Sequence, residues 1–209
     1  MSWKLANFAR LDPALKNRRI KGASHGSKAD EVVWDEFKDD WDTLAFESQR
    51  LLAQFLRVPP VDLFPEMTIP EGLTRETTVK IRVNQGFFRA AVLAAYNSRC
   101  CMTGLAIPAL LTASHIVPWA ADAKNRTNPC NGLCLNAIHD RAFDSGLLTV
   151  GPDYRIIVSK RLKEQGARDG GLARKLFSYY DGRRITLPDR FIPDPEFLKY
   201  HNERRFENI

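Results

Sequence analysis

Four prolines within twelve residues, Pro59, Pro60, Pro65 and Pro70, divide this chain more firmly than any other feature. Proline removes a backbone donor and clashes with the preceding turn, so no helix runs through such a stretch. Residues 59–80 therefore read as a linker, and whatever helix precedes them must stop at Val58. Ahead of the break, Trp34, Phe37, Trp41, Leu44, Leu51, Leu52 and Phe55 recur at three- and four-residue steps. That spacing predicts one amphipathic helix from about Ala29 to Leu56 with these residues on its core face. Ser27 is its expected N-cap, with Asp30 at the third position. Asp35, Asp39, Asp42 and Glu47 fall on the polar face. Residues 11–30 are basic and turn-rich and read as an arm after a short helical start at Trp3–Ala9.

Beyond the linker the elements become short and mixed. A helix is expected from Asn84 to Asn97, with Phe88, Ala91, Val92 and Ala95 on one face. Short apolar pieces follow at Cys100–Met102 and Leu111–Ile116, separated by the Thr103-Gly104 turn. A polar loop leads to a helix around Ala137–Ser145. Strands are expected at Leu147–Val150 and Arg155–Ser159, joined by Gly151-Pro152-Asp153. Helices near Leu172–Tyr179 and Pro195–Arg205 complete the chain. The class is α+β, organised as an arm and helix over 1–58, the linker 59–80, a central domain 81–160 and a helical extension 161–209.

With 209 residues, 44% hydrophobic and 27% charged, the chain has an ordinary globular composition. No apolar run reaches the ~20 residues that span a bilayer. The polar N-terminus does not resemble a signal peptide, so a soluble, cytoplasmic protein without a membrane partner is expected. The net charge of +6 is unevenly placed: residues 1–30 carry +5, residues 31–60 carry −4 and residues 151–209 carry +4. Basic ends around a neutral centre suit a polyanion. Cys100, Cys101, Cys130 and Cys134 contain no CxxC pair and read as buried reduced thiols, since adjacent Cys100 and Cys101 turn back poorly on one zinc ion.

The chemistry concentrates between Ser114 and Val150. His25 and His201 lie in polar surroundings and read as exposed residues without a role. His115 ends an apolar strand, Asn131-Gly132 marks a turn where the glycine serves the bend, and His139-Asp140 opens a short helix. Phe143, Leu147 and Leu148 read as core, and Trp119 packs under the loop. The succession SHIVPW, NGLCLN and IHDRAFD, with the Cys100–Gly104 turn and the helix before it, resembles the HNH endonuclease family. More closely it resembles bacterial HNH proteins described as restriction endonucleases, in which stretches like KLANFARLDP and VWDEFKDDWDTLAFESQRLLA precede the nuclease. Such proteins commonly carry a further N-terminal helical domain, so the chain is expected to be a shortened form.

The resemblance implies a ββα-metal centre, also called an HNH or His-Me finger, with flanking helices. It implies a metal-dependent endonuclease that hydrolyses DNA phosphodiester bonds in restriction or defence. Imidazole titrates near neutral pH, which suits it to deprotonating water. His115 is then the general base, and Asn131 braces the loop and orients it. His139 is the metal ligand carried over, with Asp140 as the alternative, because the family commonly places that ligand nine residues after the Asn. His139 is eight residues on and Asp140 nine. Asp144, one turn beyond Asp140, supports the site or simply ends the helix. Asn128 is a candidate for loop bracing, and Arg126, Lys124 and Arg141 for nucleic-acid contact. One divalent cation is implied, Mg²⁺ or Mn²⁺, with Zn²⁺ or Ni²⁺ as alternatives. Cutting both strands calls for two active sites, which a homodimer supplies. Where many relatives have a metal-holding residue directly before the base, this chain has Ser114. That departure supports the alternative reading, a non-catalytic nucleic-acid-binding module on the same fold.

Overall fold

The helix expected over 29–56 is in fact two. The computed structural model describes residues 7–17, 19, 22–59, 75–166 and 171–206, and begins with α1 (Pro13–Asn17), α2 (Lys28–Phe37) and α3 (Trp41–Leu56). Residues 7–9 are helical, while 3–6 of the expected helical start lie outside the described residues. Ser27 caps α2 as anticipated, and Ser27 and Asp30 exchange backbone bonds as a capping box. The chain breaks before Trp41 because Asp40 acts as a second cap. Its carboxylate takes the Thr43 N–H at 3.0 Å and the Thr43 hydroxyl at 2.7 Å. Aspartate gains more from that role than from a helix interior. The expected core face also needs correcting. Ala45 and Ala53 are the buried residues of α3, whereas Leu51, Leu52 and Phe55 are exposed, Phe55 by 84%.

Residues 60–74, with most of the expected linker, lie outside the described residues. Helix α4 (Arg75–Ala95) starts nine residues before Asn84 and takes in residues 75–80. No proline or glycine lies between Arg75 and Gln85, so nothing local stops the helix from extending that far.

The central unit is built on α4. Strands β1 (Leu111–His115) and β2 (Gly132–Asn136) pair antiparallel, with Ala113 opposite Cys134 and His115 opposite Gly132. Helix α5 (Ala137–Asp144) follows β2 directly. This is the expected ββα unit, and the architecture is α+β. Phe88, Val92 and Tyr96 share a core with Leu111, Ile116, Leu133 and Leu135. Gly132 owes its identity to that packing rather than to the turn. Its backbone is extended at φ −129, but a Cβ there would overlap Val92 Cγ2 and come within 3.0 Å of Phe88 Cζ. The apolar piece at Cys100–Met102 enters a turn, closed by Gly104 N–H on the Cys100 carbonyl at 2.8 Å. All four thiols are free. Cys100, Cys101 and Cys134 are buried and Cys130 is half-buried.

A second antiparallel pair, β3 (Leu148–Val150) and β4 (Ile156–Val158), extends the core. The extension then adds α6 (Lys160–Gly166), which the sequence reading did not anticipate, α7 (Leu172–Leu176), a 3₁₀ turn at Ser178–Tyr180, and α8 (Pro195–Arg204). Leu198 of α8 joins the central core. His201 overturns its expected exposure, being 1% exposed and stacked on Phe143 with ring centroids 3.7 Å apart. No helix among the described residues is long and apolar enough to cross a membrane.

Candidate active site

His115 stands at the end of β1, where the strand gives way to the loop 116–131. Its ring lies flat on Phe88, centroids 3.7 Å apart and planes 9° from parallel, and meets Trp119 edge-on at 5.7 Å. Nε2 is 2.8 Å from the Arg126 carbonyl. A carbonyl only accepts, so Nε2 carries the proton and Nδ1 is left with its lone pair. Burial lowers the pKa of His115, against the Arg126 carbonyl, which raises it. The ring is thus neutral near pH 7, the form a base requires.

The loop is held from below by Asn131, which is 1% exposed. Its Oδ1 accepts from Val117 N at 2.8 Å, and its Nδ2 donates to the carbonyls of Val117 at 3.0 Å and Asn125 at 3.2 Å. Asn131 therefore braces the loop, while the direct hold on His115 comes from the Arg126 carbonyl. Asn128 caps the following turn through Cys130 N and reaches Asn125. The Arg126 guanidinium lies 5.4 Å from the Trp119 ring and donates from Nε to the Trp119 carbonyl. Thr127 ties the loop to α3 through a 2.5 Å bond to Asp42. Lys124 is exposed on the loop.

Helix α5 presents two different faces. Asn136 caps it, accepting from the backbone of Ile138 and His139. The Asn136 amide also donates to His139 Nδ1 at 2.9 Å, and His139 Nε2 donates to the Leu176 carbonyl at 2.7 Å. The ring is edge-on to Phe177 and Tyr180 and 2% exposed. His139 thus faces the C-terminal extension with both nitrogens in use.

The other face of α5 borders a cavity of about 480 Å³. Ser114, His115, Trp119, Asp140, Asp144 and Arg205 all line it, as does Arg141. Asn131, His139, Arg126 and Lys124 do not. Burial raises the Asp140 carboxyl and the nearby Asp144 charge adds to this, while the hydroxyls of Ser114 and Thr112 lower it. Asp144 is likewise raised by burial and lowered by Arg205 and Arg141. Ser114 Oγ is buried and has no partner at hydrogen-bonding geometry.

Among the described residues, no group of three or more His, Cys, Asp and Glu side chains is arranged to hold a metal ion. The two carboxylates and the orphaned hydroxyl still fit a hard cation. Mg²⁺ is commonly held by one or two carboxylates, with water and phosphate oxygens completing its shell. Sequence reasoning had a signal for Asp144, because four-residue spacing puts it on the Asp140 face. It had none for Arg205, which comes to the cavity from the far end of the chain.

No curated protein matches the chain. Residues 100–151 match the HNH endonuclease family model HNH_2. The matched stretch contains the whole of β1, the braced loop, β2 and α5, so the similarity to HNH endonucleases falls on the ββα unit that borders the cavity.

Proposed function

We propose that this chain is a metal-dependent endonuclease that hydrolyses DNA phosphodiester bonds, with His115 as general base and Asp140 and Asp144 as the groups that hold the cation. A role in restriction or another defence system accompanies this reading. The observation that carries it is the shared cavity: a neutral imidazole with a free Nδ1 opens into the same space as two carboxylates on one helix face. The geometry favours Asp140 over His139 as ligand, because both His139 nitrogens already serve the fold.

In this reading His115 Nδ1 takes the proton of the attacking water. The Arg126 carbonyl keeps Nε2 protonated, and the Phe88 stack fixes the plane of the ring. Asn131 keeps the loop in register, so that the Arg126 carbonyl stays where the imidazole needs it. Asp140 and Asp144 would hold the cation, and Ser114 lines the same cavity. When bound, a divalent cation neutralises charge developing on the phosphoryl and leaving oxygens.

The alternative is a non-catalytic nucleic-acid module, which Ser114 in place of an acidic neighbour favours. Incubating plasmid DNA with Mg²⁺, Mn²⁺ or EDTA separates the two. Nicked or linear product that requires metal and disappears in His115→Ala supports the nuclease. DNA binding with no product under any metal supports the module.

A further inference from the structure

We infer that Arg205, beyond the family-matched segment, is a phosphate-binding residue of the cavity, so that the C-terminal helix completes the site. The inference rests on reading the cavity as a phosphodiester site.

Helix α8 is firmly docked on the central unit. Leu198 is fully buried, and His201 stacks on Phe143 with its ring 2.8 Å from the Thr149 hydroxyl. Asn202 donates to the Val150 carbonyl at 2.8 Å. Arg205 caps this helix, its N–H on the His201 carbonyl at 3.0 Å, which sets its backbone at the cavity edge. Its Nη2 donates to the Asp144 carbonyl at 3.1 Å. That bond holds the guanidinium next to Asp144.

A guanidinium has five N–H donors in a planar fork, and the Asp144 carbonyl uses one of them. Arg205 is exposed, and its positive charge lowers Asp144. A phosphodiester entering next to Asp140 and Asp144 meets two negative charges, and the cation offsets only part of that repulsion. A pre-oriented arginine at the rim supplies both charge and paired donors to phosphate oxygens. His201 lies behind Arg205 on the same helix, and its backbone carbonyl takes the Arg205 N–H. It lines the same cavity, and its Nε2 is buried without a hydrogen-bond partner.

The test measures binding rather than turnover. The 209-residue chain, silenced by His115→Ala, is titrated with a short fluorescein-labelled DNA duplex in Ca²⁺ over a range of salt. Adding Arg205→Gln should weaken binding about three- to tenfold and lower the slope of log Kd against log salt by about one, as for one lost phosphate contact. Lys199→Ala removes a charge from the same helix away from the cavity and should change Kd less than twofold by the same reasoning, roughly. Arg205→Lys, which keeps the charge, should recover part of the affinity. Unchanged affinity and slope in Arg205→Gln would overturn the assignment, as would no DNA binding by the parent. So would equal loss in Arg205→Gln and Arg205→Lys accompanied by lower melting temperatures, which would mark a helix brace only. Because binding is read on cleavage-silent protein, DNA binding by the silenced chain with no cleavage by the unsubstituted chain defeats the nuclease reading alone. Cleavage by the unsubstituted chain with normal binding in Arg205→Gln defeats this inference alone.

Discussion

Two histidine environments of the central unit differ by one hydrogen bond. His115 and His139 both donate from Nε2 to a backbone carbonyl, that of Arg126 in one case and of Leu176 in the other. Both rings are packed by aromatic residues. At His139 the Asn136 amide fills Nδ1, whereas among the described residues Nδ1 of His115 has no such donor, and its ring borders the cavity. A satisfied imidazole is part of the scaffold. One with a free lone pair beside an open polar space is equipped to move a proton. The contrast separates function from architecture better than burial does, since both rings are largely enclosed.

The largest expected effect breaks the comparison on the His115 side. His115→Ala should lower the cleavage rate about 10²- to 10⁴-fold, the range for losing a general base. Mn²⁺ binding by calorimetry and DNA binding should survive. Loss of Mn²⁺ binding would make His115 a ligand instead.

The carboxylate face comes next. Asp140→Ala should abolish cleavage with every metal, while His139→Ala should cut at near-parental rate per folded molecule. A dead but well-folded His139→Ala, with Asp140→Ala merely slowed, would return the ligand role to His139.

On the scaffold side, His139→Ala should cost roughly 2–4 kcal/mol in urea unfolding. It opens a cavity and strands the Leu176 carbonyl and the Asn136 amide. A cost below ~1 kcal/mol would place it among exposed substitutions and refute the structural role.

A third buried histidine sharpens the comparison through pH. Burial depresses His201 to about 4 from an ordinary 6.5, with Arg205 pushing the same way. The unfolded chain therefore takes up this proton first on acidification. The contribution is fully present above 6.5 and is lost as pH falls from there towards about 4. At most it amounts to roughly 3 kcal/mol, at 1.36 kcal/mol per pKa unit. The raised Asp140 and Asp144 work in the opposite direction, favouring the fold when protonated. The difference in stability between parent and His201→Gln, followed by urea unfolding across this range, isolates the histidine. A pH-independent difference would show that its pKa is not depressed. The lowered pKa of His115 likewise sets the acid limb of cleavage below 6.5, with activity rising as pH increases through it.

The smallest effect lies in the backbone under His115. Gly132→Ala should cost about 1–3 kcal/mol, because the added methyl meets Val92 and Phe88. A neutral result would mean that α4 yields easily at this point.

The sequence determined the short-range features. The Ser27–Asp30 capping box, the strand at 111–115, the helix from Ala137 and the Gly151-Pro152-Asp153 hairpin follow from local residue chemistry and were legible. His115, Asn131, His139 and Asp140 also lie within a single segment, and there the sequence reading placed His139 ahead of Asp140 as ligand. Asp40 was misjudged because an acidic residue suits an exposed helix face and a cap alike, and the pattern of apolar residues does not distinguish them. Which side of α5 faces the cavity was decided only in three dimensions. His139 and Asp140 are adjacent, and their directions differ by about 100° around the helix. What fills the His139 side is Leu176, Phe177 and Tyr180, more than thirty residues away. The burial of His201, the demand for glycine at 132 and the arrival of Arg205 beside Asp144 have the same origin. Each depends on packing between elements distant in sequence, and a local pattern carries no information about which distant surface will meet it.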